Sequence, residues 1–277
     1  MAIRTWSAIG CSAAGLTILA ISTQLAPFHR YQARREEKAS PTHLGSFPVS
    51  LILPSHHHSS QENYTVCIPA SHLQKGVTDE EILARFTKGF LSGCAFTLER
   101  WLLSSFSYPI LTDVQAIKKS LTPRSQSANS VLELGPLILD PSSISPTSTP
   151  SVSSLLFRNF VVLDSSSSLT AEQQDRLPGD YDRHVRPPHA FLELAWGGDG
   201  LGLVGSHRFE VCRGHCTPAT ATQEAEEFVK ITLSTVSCVP RTGQAPRSSF
   251  LICFHVLYSK ALFSDGIRGL SSVWLSV

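Results

Sequence analysis

The side chains best suited to chemistry lie between residues 180 and 216. Asp180, Asp182 and His184 (GDYDRHVR) crowd into one polar stretch. A carboxylate and an imidazole can exchange protons with a substrate when a pocket brings them to it. Polar loops are ordinarily rich in both types, so a solvated loop explains the same cluster. His207, Cys212, His215 and Cys216 carry zinc-ligating atoms. Structural zinc usually takes two tight pairs, spaced C-x2-4-C and H-x3-5-H. Cys212 and Cys216 approach one such pair, and the second is missing. His189, Glu193, His207, Arg208 and Glu210 are polar positions on neighbouring extended segments. Paired strands would set them face to face, either as a polar patch in an apolar cavity or as cross-strand charge pairs on a solvent face.

Other signals are weaker. Gly200, Gly202 and Gly205 match the spacing G-x-G-x-x-G, but that fingerprint must open a helix so that a pyrophosphate meets its N-terminus. Here Ser206 to Cys212 reads as a strand, so a glycine-rich hairpin is expected. Cys94 has no local activating group. His56, His57 and His58 fall in a loop, where such runs usually bind nothing. There is no G-x-S-x-G elbow, P-loop or H-E-x-x-H. No catalytic residue, no metal site and no cofactor can be assigned from these patterns.

The elements that would position these residues are read from periodicity. Tyr64 to Pro69 is a short strand. Thr78 and Glu81 form a capping box, and the acids that follow Thr78 suit the dipole of a helix. That helix continues through Ile82, Leu83, Phe86 and Phe90 at spacings of three and four. Gly89 and Gly93 either weaken its end or permit close packing. Leu98 to Ser105 is a second helical piece. Strands follow at 189–196, 203–212 and 228–239, the last with Val229, Ile231 and Leu233 on one face and Lys230, Thr232 and Ser234 on the other. Phe250 to Phe263 closes the chain as a helix that is apolar nearly all round and so should be buried. The order of elements predicts an α+β fold, a curved antiparallel sheet packed on a long C-terminal helix.

The most distinctive stretch of the 277 residues comes first: Trp6 to Phe28 has no charged side chain. A bilayer core of about 30 Å needs roughly 20 mostly apolar residues in a helix. One N-terminal transmembrane helix is therefore expected. A cleaved secretory signal ending near Ala20-Ile21-Ser22, a mitochondrial presequence and an ordinary buried helix are the alternatives. Arg30, Arg34, Arg35 and Lys38 follow the run, and such a basic excess marks the cytosolic or matrix side. The sequon at Asn63 argues the other way. The expected organisation is an anchor and basic flank over 1–38, a tether over 39–62, and a globular domain over 63–277. The Ser/Pro-rich insertion at 140–154 reads as flexible chain unable to build a core. Charged residues make up 16% of the chain, below the usual quarter, and the net charge is +1,. Such a chain has no field to steer nucleic acid. Of the seven cysteines, six lie outside the leader in a domain too large to need disulfides, which suggests a reducing compartment,.

Two resemblances add to this. Leu83 to Trp101 (LARFTKGFLSGCAFTLERW) resembles a segment of uncharacterised fungal membrane-anchored proteins. The stretch HAFLELAWGGDGLGLVGSHRFEV, the strand FVKITLSTVSC and the closing helix are similar to the helix-grip architecture of START-like ligand carriers. That resemblance implies an apolar cavity between sheet and closing helix, lined here by His189, Phe191, Glu193, His207, Phe209, Ile231, Leu233, Phe254 and Tyr258. The expected function is binding of a lipid or other apolar small molecule by a single-pass, membrane-anchored domain. Two rivals stay open: a membrane-bound hydrolase, isomerase or cyclase using His and carboxylate groups in the same cavity, and a non-catalytic interaction protein.

Overall fold

The computed structural model describes residues 33–46, 48–49, 59–105, 135–168, 190–198, 203–216, 226–239 and 249–274. The apolar leader, the three histidines at 56–58, the cluster at 180–184 and His189 lie outside the described residues.

Among the described residues the fold is α+β, built on one eight-stranded sheet. Its strands are β1 (Arg34–Glu36), β2 (Ser60–Pro69), β3 (Leu137–Ile138), β4 (Leu155–Leu156), β5 (Phe160–Ser165), β6 (Ala190–Gly198), β7 (Leu203–Cys216) and β8 (Glu226–Cys238). Their order across the sheet is β1-β2-β8-β7-β6-β5-β4-β3. Every pairing is antiparallel except that of β3 with β4. The long centre follows from strict alternation. Tyr64, Leu192, Leu194, Phe209, Val211, Ile231 and Leu233 share one apolar cluster, while their neighbours in sequence point to the opposite face,.

Four helices are described: α1 (Pro41–Leu44), α2 (Asp79–Ser92), α3 (Cys94–Ser105) and α4 (Ser249–Arg268). The Thr78 hydroxyl accepts from Glu81 N at 3.1 Å, and Asp79, Glu80 and Glu81 occupy the first turn of α2. The stripe of Ile82, Leu83, Phe86 and Phe90 is buried on the sheet. The contacts of α2 run to β6, β7 and α4. The closing helix therefore shares the sheet with α2. It reaches β2 through Phe263 on Tyr64, with ring centroids 5.9 Å apart, and through the Tyr64 hydroxyl, which donates to Val256 O. Close approach of α2 and α4 depends on glycine. A Cβ on Gly89 would fall 2.6 Å from Asp265 O, and one on Gly266 would fall 2.5 Å from the Phe86 ring. The apolar sequence of α4 is not wholly enclosed, since Leu257 is 52% exposed. No helix among the described residues is long and apolar enough to cross a membrane.

Two stretches differ from the sequence expectation. In the region read as a tether, residues 39–49, where described, form a strap across the sheet face opposite α2, with Ala39, His43 and Val49 buried. The Ser/Pro stretch 140–154 is built into the fold. Asp140 caps a short turn through Ser142 N, Ile144 is buried, and Lys88 Nζ donates to Ile144 O at 2.7 Å. Thr149 N donates to Glu80 at 3.0 Å. Serine hydroxyls that look solvated in sequence bond within local turns here, and the Thr149 hydroxyl donates to Glu80 of α2.

Candidate functional site

Alternation along β6 and β7 sends Glu193, Ser206, Arg208 and Glu210 to the face under the strap. Glu193 lies opposite Arg208 in the pairing of β6 with β7. Arg208 Nη1 donates to Glu193 Oε2 at 3.1 Å, and its Nε donates to Glu210 Oε1 at 2.7 Å. Its guanidinium stacks 4.0 Å over the Phe191 ring. The strap supplies the remaining partners. Ser46 donates to Glu193 at 3.0 Å, Ser40 and Thr42 donate to Glu210, and Ser40 N donates to Ser234 at 2.8 Å. His43 Nε2 lies 3.0 Å from Ser206 Oγ and 3.6 Å from Glu193, while its Nδ1 has no hydrogen-bond partner among the described residues.

Glu193 and His43 are both 0% exposed. Burial pushes the Glu193 carboxyl up to about 7, against the pull of Arg208 and the serine hydroxyls,. Burial drives His43 well below its usual value, and Arg208 reinforces this. The cross-strand pairing expected of Glu193, Arg208 and Glu210 is present, but in the interior rather than on a solvent face. A substrate would have to lift the strap to reach it. The arrangement fastens the strap to the sheet.

The other cavity candidates are divided. His207 points to the α2 face, where its Nδ1 lies 2.9 Å from Thr235 Oγ1 and its ring sits among Phe90, Phe160 and Trp196. Phe209, Ile231 and Leu233 belong to that same apolar layer. Phe209 closes on Phe90 at 4.8 Å and on Phe86 at 5.3 Å, so rings occupy the space at this point. Phe191 and Glu193 face the strap instead. The Tyr258 hydroxyl donates to Glu99 of α3, and burial raises both groups. Phe254 falls within α4. The possible zinc ligands His207, Cys212, His215 and Cys216 all fall within β7, spread over ten residues of extended chain,. No three His, Cys, Asp or Glu among the described residues could hold a metal ion.

A groove that the sequence reading missed lies at the far end of the sheet. Thr97, Arg100 and Trp101 of α3 form one wall. Leu139 and Pro141, just beyond β3, form a second. Phe157 and Arg158, in the turn between β4 and β5, form the third. Its volume is about 280 Å³. Trp101 is 63% exposed and Leu139 is 47% exposed, and both line the groove. Phe157 and Arg158 both have left-handed backbones, with φ of 51° and 61°. Each costs on the order of 1 kcal/mol outside glycine. The turn is held by Phe157 N donating to Ile138 O at 2.8 Å and by the Phe157 ring on Phe96 at 5.5 Å.

No family model, curated protein or solved structure matches the chain.

The chemistry of the site rests on the chain's own residues. Its apolar walls and two guanidiniums suit binding, and among the described residues no carboxylate, imidazole or thiol is part of its lining. One sequence signal pointed there: Trp101 and the charged pair Glu99 and Arg100 on a short apolar helix. The other walls come from stretches about 40 and 60 residues further on.

Proposed function

We propose that the chain is a membrane-anchored, non-catalytic domain that binds a lipid or other apolar small molecule in the groove of Trp101, Leu139 and Phe157. One observation carries the reading: an open concavity of about 280 Å³ walled by exposed apolar side chains and held by a strained turn. Such a volume takes about ten non-hydrogen atoms, at on the order of 30 Å³ each. The order of strands and closing helix supports a helix-grip-like architecture, but α2 and its phenylalanines occupy the layer where such a fold would keep its ligand. The groove therefore replaces the sheet–helix layer as the binding place.

The anchor is the apolar run ending at Phe28, with the domain on the cytosolic or matrix side as the basic flank directs,. Burial of Asn63 at 6% exposure removes the main argument against that side. Native mass spectrometry of the full chain, purified in detergent, tests the reading. A retained lipid or metabolite that is lost in Trp101→Ala is expected. An empty protein, or a ligand retained equally by Trp101→Ala, would overturn it.

A further inference from the structure

Tyr258 stands outside the groove, yet it bears on the wall to which Trp101 belongs. Helical spacing gives α3 two working sides. Thr97, Arg100 and Trp101, three and four residues apart, line the groove. Ala95 and Glu99, four apart, meet α4 instead. The Ala95 amide donates to Asp265 Oδ2 of α4 at 2.7 Å and so satisfies one free N–H in the first turn of α3,. A Cβ on Gly93 would strike that carboxylate, so the turn into α3 has little room to shift. Phe96 holds the same end against the β4–β5 hairpin, with its ring 5.5 Å from Phe157 and 5.7 Å from Phe160. The second turn of α3 is tied by Tyr258, whose hydroxyl donates to Glu99 Oε2. Burial pushes that hydroxyl well above its usual value, so Tyr258 keeps its proton and remains the donor,. Apolar contact is non-directional, whereas a hydrogen bond fixes both distance and angle.

We infer that Tyr258 is a positioning residue of the groove: its hydrogen bond to Glu99 sets the tilt of α3, and with it the distance of Trp101 from Leu139 and Phe157. This role rests on the binding function just proposed. Trp101 follows Glu99 by two residues, about 3 Å of helix rise, so any movement of the second turn carries the indole with it. Without its donor, a carboxyl group raised by burial is relieved when α3 swings toward water,.

The test uses the full chain in phosphatidylcholine nanodiscs with a decanol that carries a diazirine, at a concentration that labels a minor fraction of the protein. Labelled residues are mapped by mass spectrometry, and hydrogen exchange is followed in the same samples. Tyr258→Phe and Glu99→Leu should each label peptides carrying 97–101, 139–141 or 157–158 roughly tenfold less than the unaltered chain does, the effect expected of one lost hydrogen bond to a buried group. Exchange should quicken in α3 while α2 and β7 keep their protection. Glu99→Gln still accepts from Tyr258 through its amide oxygen and should restore most of the labelling. Labelling of Tyr258→Phe and Glu99→Leu at the level of the unaltered chain would overturn the role and leave the binding function standing. Labelling of Glu99→Gln as low as that of Glu99→Leu would overturn it too, since the acceptor would then be present without effect. Faster exchange throughout α2 and β7 in both disruptive variants would assign Tyr258 to general packing and overturn its role toward the groove. An unlabelled groove in the unaltered chain would overturn the binding function, and this role falls with it.

Discussion

Arg208 carries one positive charge between two carboxylates, Glu193 and Glu210, all under the strap. With His43 held neutral by burial, the network has one negative charge too many. A proton on Glu193 removes the excess, which agrees with a carboxyl raised to about 7. The folded state then keeps a proton that the unfolded chain releases near 4.5. The Glu193 contribution is full below about 4.5 and is lost as pH rises through about 7,. His43 acts in reverse. Its folded pKa lies below 6.5, so its contribution is full above about 6.5 and is lost as pH falls,. The two oppose one another in the native chain, and single variants separate them. His43→Gln should lose on the order of 2 to 3 kcal/mol between pH 4.5 and 7. Glu193→Gln should instead lose stability as pH drops below 6.5. Urea midpoints at pH 5, 6 and 7, followed by tryptophan fluorescence, distinguish these slopes, and flat profiles in both variants would contradict the account. Arg208→Met should cost about 3–5 kcal/mol at neutral pH, because it leaves Glu210 buried without its cation and Glu193 without its donor,.

Helices and strap depend on different physics. The contact of α2 with α4 is set by missing side chains. At Gly89 a methyl group would meet backbone, Asp265 O at 2.6 Å and the Gly269 Cα at 2.9 Å, which cannot rotate away. Alanine favours a helix over glycine by about 1 kcal/mol. Overpacking against backbone should outweigh that, so Gly89→Ala is expected to lower the melting temperature rather than raise it. A higher melting temperature would mean that the helices part without cost. The strap, by contrast, is held mainly by hydroxyl groups. Thr42→Val together with Ser46→Ala removes donors to Glu210 and Glu193. Hydrogen exchange should then quicken at 40–46 while α2 and β7 keep their protection. Unchanged exchange at the strap would show that its apolar residues, Ala39 and Val49, suffice to hold it.

At the scale of the whole molecule, the sheet would separate the proposed anchor from the groove. Five residues, 29–33, join Phe28 to β1 and reach about 18 Å at full extension,. The first edge of the sheet is therefore held near the bilayer if the leader spans it. The groove lies at the opposite edge, beside β3, seven strand spacings away, or roughly 34 Å along a flat sheet,. Two exposed thiols report on the two ends: Cys67 on β2, next to the edge that the proposed leader would hold at the bilayer, and Cys94 at the start of α3, on the groove side. In single-cysteine variants, an acceptor dye in the headgroups should quench a fluorophore on Cys67 more than one on Cys94. Equal quenching would mean a sheet lying flat on the membrane or an unanchored domain.

Local order was legible wherever it depends on neighbours in the chain. The Thr78 cap and the 82-83-86-90 stripe predict α2 because capping and helical period act within a few residues. The alternation through β6, β7 and β8 predicts strands for the same reason, since successive side chains must take opposite faces. The identity of what covers each face lies outside such patterns. Glu193, Arg208 and Glu210 read as solvated cross-strand pairs, and only a strap about 150 to 170 residues earlier in the chain makes them interior. The stretch 140–154 reads as flexible until Glu80 of α2 accepts from Thr149 and Lys88 donates to Ile144 O across the fold. The groove is assembled from three separated stretches and leaves no period in any of them. Burial, and with it the charge state of every polar group in the interior, depends on contacts distant in sequence, whereas dihedral preference and periodicity are written in each short segment of chain.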